Sequence, residues 1–260
     1  MLDLKHLKWG LKCAGNNGSG GSYLKAFYDN NFYKLSSGDS IAGIYGHESV
    51  NECITSDVLS LLHIPHVLYE GDLARVVIED KELETFTCWS KNFCAPNESK
   101  VHLDTFYELK RLQKESAIDF CKRLNLWNDI ELFLLSDFIF INRDRHGANF
   151  ELIKSTDEVR LAPIYDNGLS LVAPQQNREE AIVMFNPMQD CVVNNFIGSR
   201  SLFENLNLIT KPIPLTAPRK VEVERIVENY SAFISHTHQL KITDIICERL
   251  DYLKKEGIIV

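Results

Sequence analysis

The sequence predicts an α+β fold in two lobes, a β-rich amino-terminal lobe over residues 1–93 and a mostly helical carboxy-terminal lobe over residues 94–260. Three observations predict it. Runs rich in aromatic and β-branched residues, separated by polar turns, recur as far as Trp89. A turn-rich break, Cys94-Ala95-Pro96-Asn97-Glu98-Ser99, then interrupts them. Beyond it, the apolar residues fall mostly at helical spacing, apart from one hairpin-like stretch.

Composition bounds the possibilities. A chain of 260 residues, 45% hydrophobic and 25% charged, can bury one large core or two lobes and is not disordered as a whole. A net charge of -8 and a pI of about 5.5 argue against a broad phosphate-binding surface, so no direct nucleic-acid binding is expected. Cysteines at 13, 53, 88, 94, 121, 191 and 247 form no CxxC pair and read as reduced thiols. Charges sit in Met1-Leu2-Asp3-Leu4-Lys5-His6 where a signal peptide needs its apolar core, and no apolar run approaches membrane-spanning length. A cytoplasmic protein with no membrane contact is the expectation.

Ala14-Gly15-Asn16-Asn17-Gly18-Ser19-Gly20-Gly21-Ser22 opens the informative part of the chain. Its glycines permit positive φ and expose successive N–H groups, so Gly18, Ser19, Gly20, Gly21 and Ser22 can cradle phosphates, although a plain flexible loop fits as well. No G-K-[ST] follows, which disfavours a P-loop NTPase. Tyr23 to Tyr28 and Phe32 to Ser36 read as strands around an Asp29-Asn30-Asn31 turn. Alternation puts Lys34 on one face with Phe32 and turns Tyr33 and Leu35 to the other. Lys25 is the competing lysine. From Gly46, a helix is predicted through Ile54, Val58, Leu61 and Leu62, with Glu48 and Glu52 in its first turns, where an acid complements the helix dipole. Strands follow at residues 74–78 and 85–89.

In the carboxy-terminal half, helices are expected at residues 115–126, 129–141, 219–234 and 242–255, the last with Ile242, Ile245, Ile246, Leu250 and Leu253 on one apolar face. Residues 172–215 are patterned irregularly. His236 and His238 flank Thr237 without another ligand nearby and read as a surface turn rather than a metal centre.

The chemistry concentrates between Asp137 and Leu171. Asn149 to Ile153 and Val159 to Ile164 are strand-like runs joined by a polar turn, and such a hairpin brings Asn149 and Asp166 to one mouth. An amide oxygen and a carboxylate there suit Mg2+, which keeps its other positions for water and phosphate. Asp144, in a D-x4-N spacing with Asn149, is placed to orient a hydroxyl and accept its proton. Taken singly, each of these residues is explained as readily by turn chemistry. Their order and spacing, however, reproduce the catalytic and metal loops of protein kinases.

Arg143-Asp144-Arg145-His146-Gly147-Ala148-Asn149-Phe150, followed by Ala162-Pro163-Ile164-Tyr165-Asp166-Asn167-Gly168, resembles the core of the HipA-like serine/threonine kinases, distant relatives of phosphatidylinositol kinases. The resemblance implies a bilobal protein-kinase-like fold using ATP and Mg2+ to phosphorylate serine or threonine on a protein substrate. It implies Asp144 as catalytic base and Asn149 and Asp166 as metal ligands. Lys34 becomes the phosphate anchor, Glu52 rather than Glu48 its orienting partner, and residues 18–22 the phosphate cover. It further implies that backbone at Lys91 to Phe93 forms the adenine hinge, with Tyr165 among the nucleotide-binding residues; His146, in the D-R-H string, either supports the catalytic loop, approaches a nucleotide phosphate or is a buried, hydrogen-bonded structural histidine. A phosphate on Ser19 or Ser22 would repel those of ATP. No A-P-E anchor follows the metal loop. The chain opens almost directly on the glycine-rich stretch, as in short, core-only members, and a toxin role with a small antitoxin or a separately encoded amino-terminal subunit as partner is implied. The D-R-H-x-x-N string is shared with lipid kinases, so a lipid or small-molecule kinase, or a nucleotide-binding pseudokinase, remains an alternative.

Overall fold

A computed structural model describes residues 1–12, 20–39, 43–156, 158–173 and 178–260. The amino-terminal part is a six-stranded sheet in the order β1-β7-β8-β4-β3-β2, where β1 is Leu2–Asp3, β2 Gly10–Lys12, β3 Gly20–Tyr28, β4 Asn31–Leu35, β7 Tyr69–Ile78 and β8 Lys81–Lys91. All neighbours are antiparallel except β1 on β7. Two tight hairpins set the register. Asp29 and Asn30 take φ of 48° and 58°, and Glu79 and Asp80 take 49° and 63°, the paired left-handed conformation that two-residue hairpins require. A small ladder of β5 (Gly38–Asp39) and β6 (Gly43–Ile44) precedes helix α1 (Glu48–Leu61).

Strand alternation divides the sheet as expected. Ala26, Leu35, Ala74 and Val76 pack with Leu4 and Leu7 on one face, joined by Leu24 and Tyr33. On the other face α1 lays Val50, Cys53, Ile54 and Val58 against Tyr69, Phe86 and Cys88. Lys25 and Lys34, paired across β3 and β4, therefore look toward the space beside α1. The strands are longer than their sequence signals. Gly20, Gly21 and Ser22, read as loop, begin β3, whereas Gly18 and Ser19 lie outside the described residues.

After the break come β9 (Ser99–His102), α2 (Leu103–Lys110), α3 (Ala117–Arg123) and α4 (Trp127–Phe140). Helix α4 is buried nearly all round, with Ile130, Phe133, Leu134, Leu135, Phe138, Ile139 and Phe140 in the core, as an apolar-throughout helix must be. It ends at Ile141, whose φ of 54° turns the chain into β10 (Asp144–Arg145) and a 3₁₀ turn over Gly147–Asn149. The expected hairpin forms from β11 (Glu151–Lys154) and β12 (Val159–Leu161), and β9 adds a third antiparallel strand. Neither β9 nor α2 was legible: β9 has four mostly polar residues, and α2 buries only Leu103.

The irregular stretch resolves into α5 (Glu179–Met184), β13 (Asn194–Asn195) and α6 (Leu202–Leu206); β13 pairs in parallel with β10. Helices α7 (Lys220–Glu228) and α8 (His236–Lys255) close the fold. The apolar face expected on α8 is buried in full. The surface turn expected around His236 is instead the first turn of α8, capped by the Ser235 hydroxyl, and His238 is 3% exposed. Cys53, Cys88, Cys94, Cys121, Cys191 and Cys247 are free thiols. Among the described residues no helix is long and apolar enough to cross a membrane.

One aromatic cluster joins α4, α6 and α8. Phe138 lies 5.0 Å from the Phe203 ring and 5.7 Å from Tyr252, under the buried Arg249 guanidinium at 4.6 Å. Arg249 donates to the carbonyls of Phe138, Pro187 and Gln189, and burial pushes its pKa down to about 10. Replacing Phe138 with Ala empties the centre of this cluster. Urea unfolding is expected to show a loss of about 3–5 kcal/mol, and a loss below about 1 kcal/mol would contradict the packing.

Candidate active site

The site forms where β4, α1 and the loop after β12 meet. Lys34 Nζ donates to Glu52 Oε1 at 2.6 Å and to Asp166 Oδ1 at 2.7 Å. Burial opposes the ammonium, but Asp166 and then Glu52 outweigh it and hold Lys34 well above the usual lysine range. Burial likewise opposes the Asp166 carboxylate, yet Lys34, with Lys25 behind it, holds Asp166 below the usual carboxylate range. Glu52, 2% exposed, uses its second oxygen to accept the Asn167 N–H at 2.8 Å. Asn51, one residue earlier on α1, donates to the carbonyls of Gly168 and Ser170 at 3.0 and 3.2 Å. Gly168 permits this approach, since a Cβ there would meet the Glu48 carbonyl at 3.3 Å.

Asp166 takes a left-handed φ of 58°. Aspartate tolerates that region better than most residues, and such conformations persist where the surroundings over-determine them.

The loop after α4 is held from beneath by a buried ion pair. Arg145 and Asp137 are each 1% exposed and meet with Nη2–Oδ1 at 2.9 Å. Burial opposes the guanidinium charge and Asp137 more than restores it. Arg145 also donates to the Tyr165 carbonyl at 2.7 Å and to Asn167 Oδ1 at 2.8 Å, joining the two sequence motifs. Asn142 donates to Asp137 and accepts the Asp144 N–H at 3.1 Å. Asn149 Nδ2 donates to the Asp144 carbonyl at 2.7 Å, which fixes the amide so that its oxygen is the outward atom. The Asp144 carboxylate is 34% exposed, with Asn194 Nδ2 at 3.4 Å from Oδ1 and His146 Nε2 at 3.7 Å from Oδ2.

Two connected arms make up the cleft. A polar arm is lined by Tyr23, Lys25, Lys34, Glu48, Glu52, Asp144, Asn149 and Asp166. The second arm, of about 310 Å³, shares Lys25, Lys34, Asn149 and Asp166 and runs on between Phe32, Tyr69, Phe93 and Tyr165. Asp144, Asn149, Asp166, Lys34, Glu52, His146, Phe93 and Tyr165 are thus gathered into one cleft. The Lys91 side chain is exposed at the end of β8, where the residue pairs with Asn31, and Ser90 and Phe93 line the cleft on either side of it. Glu48 is buried as well, but its oxygens accept the Ser37 N–H and hydroxyl at 2.9 and 2.8 Å. Lys25 shares the cleft with Lys34 rather than competing with it.

The donor set suits Mg2+. Asp166 is anionic and engages Lys34 through Oδ1, leaving Oδ2, and the Asn149 oxygen has no protein donor among the described residues. Mg2+ is usually held by one or two side chains with water and phosphate completing the shell. Among the described residues no cluster of three or more His, Cys, Asp or Glu could hold a metal by itself.

The supporting polar network escaped the sequence reading. Its one legible sign was Asp137 inside the apolar run of α4, since a carboxylate buried there must find a partner.

The fold is similar to the crystal structure of a Helicobacter pylori proinflammatory kinase, CtkA, with a TM-score of 0.56 and 17% identity over 99% of this chain and 96% of that one. That likeness establishes the two-lobed, kinase-like α+β fold that the motifs imply. HipA of the Shewanella oneidensis MR-1 toxin–antitoxin system, solved with HipB and its operator DNA, overlaps with a TM-score of 0.41 and 12% identity over 96% of this chain and 66% of that chain, too slight an overlap to show a common fold. No protein-family model matches the sequence, and no curated protein does.

In the native chain, the depressed Asp166 contributes stability above the ordinary carboxylate range and loses it on acidification. Lys34→Met leaves Glu52 and Asp166 facing each other without their shared cation, which raises both carboxyls. A carboxyl with a raised folded pKa gives up stability as pH rises through that value. The variant's deficit should therefore be larger at pH 8, about 3–5 kcal/mol, than at pH 5. Urea unfolding at the two pH values measures it, and a deficit independent of pH would contradict the arrangement.

Proposed function

We propose that this chain is an ATP- and Mg2+-dependent kinase that phosphorylates serine or threonine hydroxyls of a protein substrate. The observation that carries the proposal is the bridging of Glu52 and Asp166 by Lys34 inside a cleft that also presents Asp144 and Asn149. In this reading Lys34 and Lys25 hold phosphate oxygens, and the aromatic arm takes the base. Asn149 and Asp166 hold Mg2+, which when bound neutralises charge on the phosphates.

The chain's own contribution is positioning and charge. Asp144 accepts a hydrogen bond from the substrate hydroxyl and takes its proton as the oxygen bonds to the γ-phosphorus and the bond to the β–γ bridging oxygen breaks. Asn142 fixes the Asp144 backbone, and Asn194 and His146 flank its two oxygens. Arg145 keeps the proton-accepting loop and the metal-binding loop at a constant separation. Lys34 stays protonated and Asp166 ionised through the neutral range, as phosphate and cation binding need.

The motif resemblance also supports, as a proposal, a small antitoxin or a separately encoded amino-terminal subunit as partner, which copurification from the native host would test.

Asp144→Ala should lower transfer from labelled ATP by about 10²- to 10⁴-fold while nucleotide binding persists. Asp166→Ala should abolish Mg2+-supported transfer. Phosphoproteomics of cells expressing the intact chain, against the Asp144→Ala chain, should show new phosphoserine or phosphothreonine sites. Full activity in either variant overturns the assignment, and label appearing only in lipid or metabolite pools overturns the protein acceptor.

A further inference from the structure

The aromatic arm of the cleft contains two charges that phosphate binding does not use. Lys100 on β9 and Glu151 on β11 meet with Nζ–Oε2 at 3.6 Å, and their side chains are only 8% and 6% exposed. The ammonium rests 4.0 Å over the Phe93 ring and 5.0 Å over the Phe32 ring. His102 Nε2 lies 3.9 Å from the other Glu151 oxygen. Phe32, Tyr69, Phe93 and Tyr165 line the same arm, so a flat ring entering it meets aromatic faces and one charged edge.

Stacking alone needs no ions, and removing an ion pair from water is expensive. A pair placed beside the aromatic walls of the arm is accounted for if it faces polar groups on the occupant. We propose that Lys100 and Glu151 read the edge of the purine, and that the pair admits guanine, so that GTP serves as a phosphoryl donor alongside ATP. The inference rests on the reading of the cleft as a nucleotide site.

The chemistry follows from donor and acceptor count. A carboxylate only accepts and an ammonium only donates. Guanine offers N1–H and the 2-amino group side by side to the two carboxylate oxygens, with O6 beside them for the ammonium. Adenine presents the opposite order, a 6-amino donor where guanine has O6 and an N1 acceptor where guanine has N1–H, so it engages the pair only when turned over in the arm, and then with one donor fewer than guanine. A glutamine at 151 would instead place an amide N–H beside an amide oxygen, the arrangement that pairs with adenine.

The full chain, with Mg2+, is titrated calorimetrically with ATP, GTP and ITP, which lacks the 2-amino group. GTP should bind within about tenfold of ATP, and ITP should bind about fivefold or more weakly than GTP. Glu151→Gln should raise the ratio of GTP to ATP dissociation constants by about tenfold or more. If ATP binds while GTP fails to compete in about hundredfold excess, base reading by this pair is wrong and the nucleotide site stands. Equal effects of Glu151→Gln on both nucleotides make the pair structural and overturn the inference. Binding of neither nucleotide overturns the site itself. Should Glu151→Gln fail to fold, the three-nucleotide series on the unaltered chain decides.

Discussion

One ammonium group holds the functional half of this molecule together. Lys34 reaches Glu52, 18 residues away, and Asp166, 132 residues away, so a strand, a helix and a loop converge on a single atom. Much of the surrounding structure fixes that atom. The backbone carbonyl of Lys34 accepts from the Thr87 and Ser49 hydroxyls, and its register opposite Cys88 is set by the ladder between β4 and β8. Two carboxylates at that depth would repel each other without a cation between them.

Around that contact the cleft separates its tasks by chemistry. Charged groups gather where the two arms meet, at Lys25, Lys34 and Asp166, and one arm runs on between aromatic walls that also carry Lys100 and Glu151. The buried Arg145–Asp137 pair contributes to shape rather than to contact with an occupant. It ties the Asp144 loop to Asn167 from below, where solvent cannot loosen it. Pairing of β10 with β13 then lays the segment around Asn194 alongside Asp144.

Much of this was legible in the sequence because the signals were local. The D-x4-N spacing, the hairpin after it and the alternation of Phe32 against Tyr33 each depend on neighbours a few residues apart. Contacts that depend on burial left weaker signs. Nothing local distinguishes Lys100 from a solvated strand lysine, and only the packing of β9 on β11 shows that it meets Glu151. The direction of a strand side chain is likewise settled by packing: the Lys91 side chain points away from the cleft and Ser90 holds the inward place. His238 reads as polar and exposed by composition but is buried beside His47, with ring centroids 4.8 Å apart.

Helix α1 is fastened along its length to the carboxy-terminal half. Asn51 and Glu52 bind the loop of Asn167 and Gly168 at one end, and Asp57 accepts the Tyr230 hydroxyl at 2.8 Å further along. Tilting this helix outward would sever all of these bonds at once and strand the Glu52 carboxylate. Helix α1 therefore has no inexpensive outward posture of its own, because each bond lost in the movement would go unreplaced.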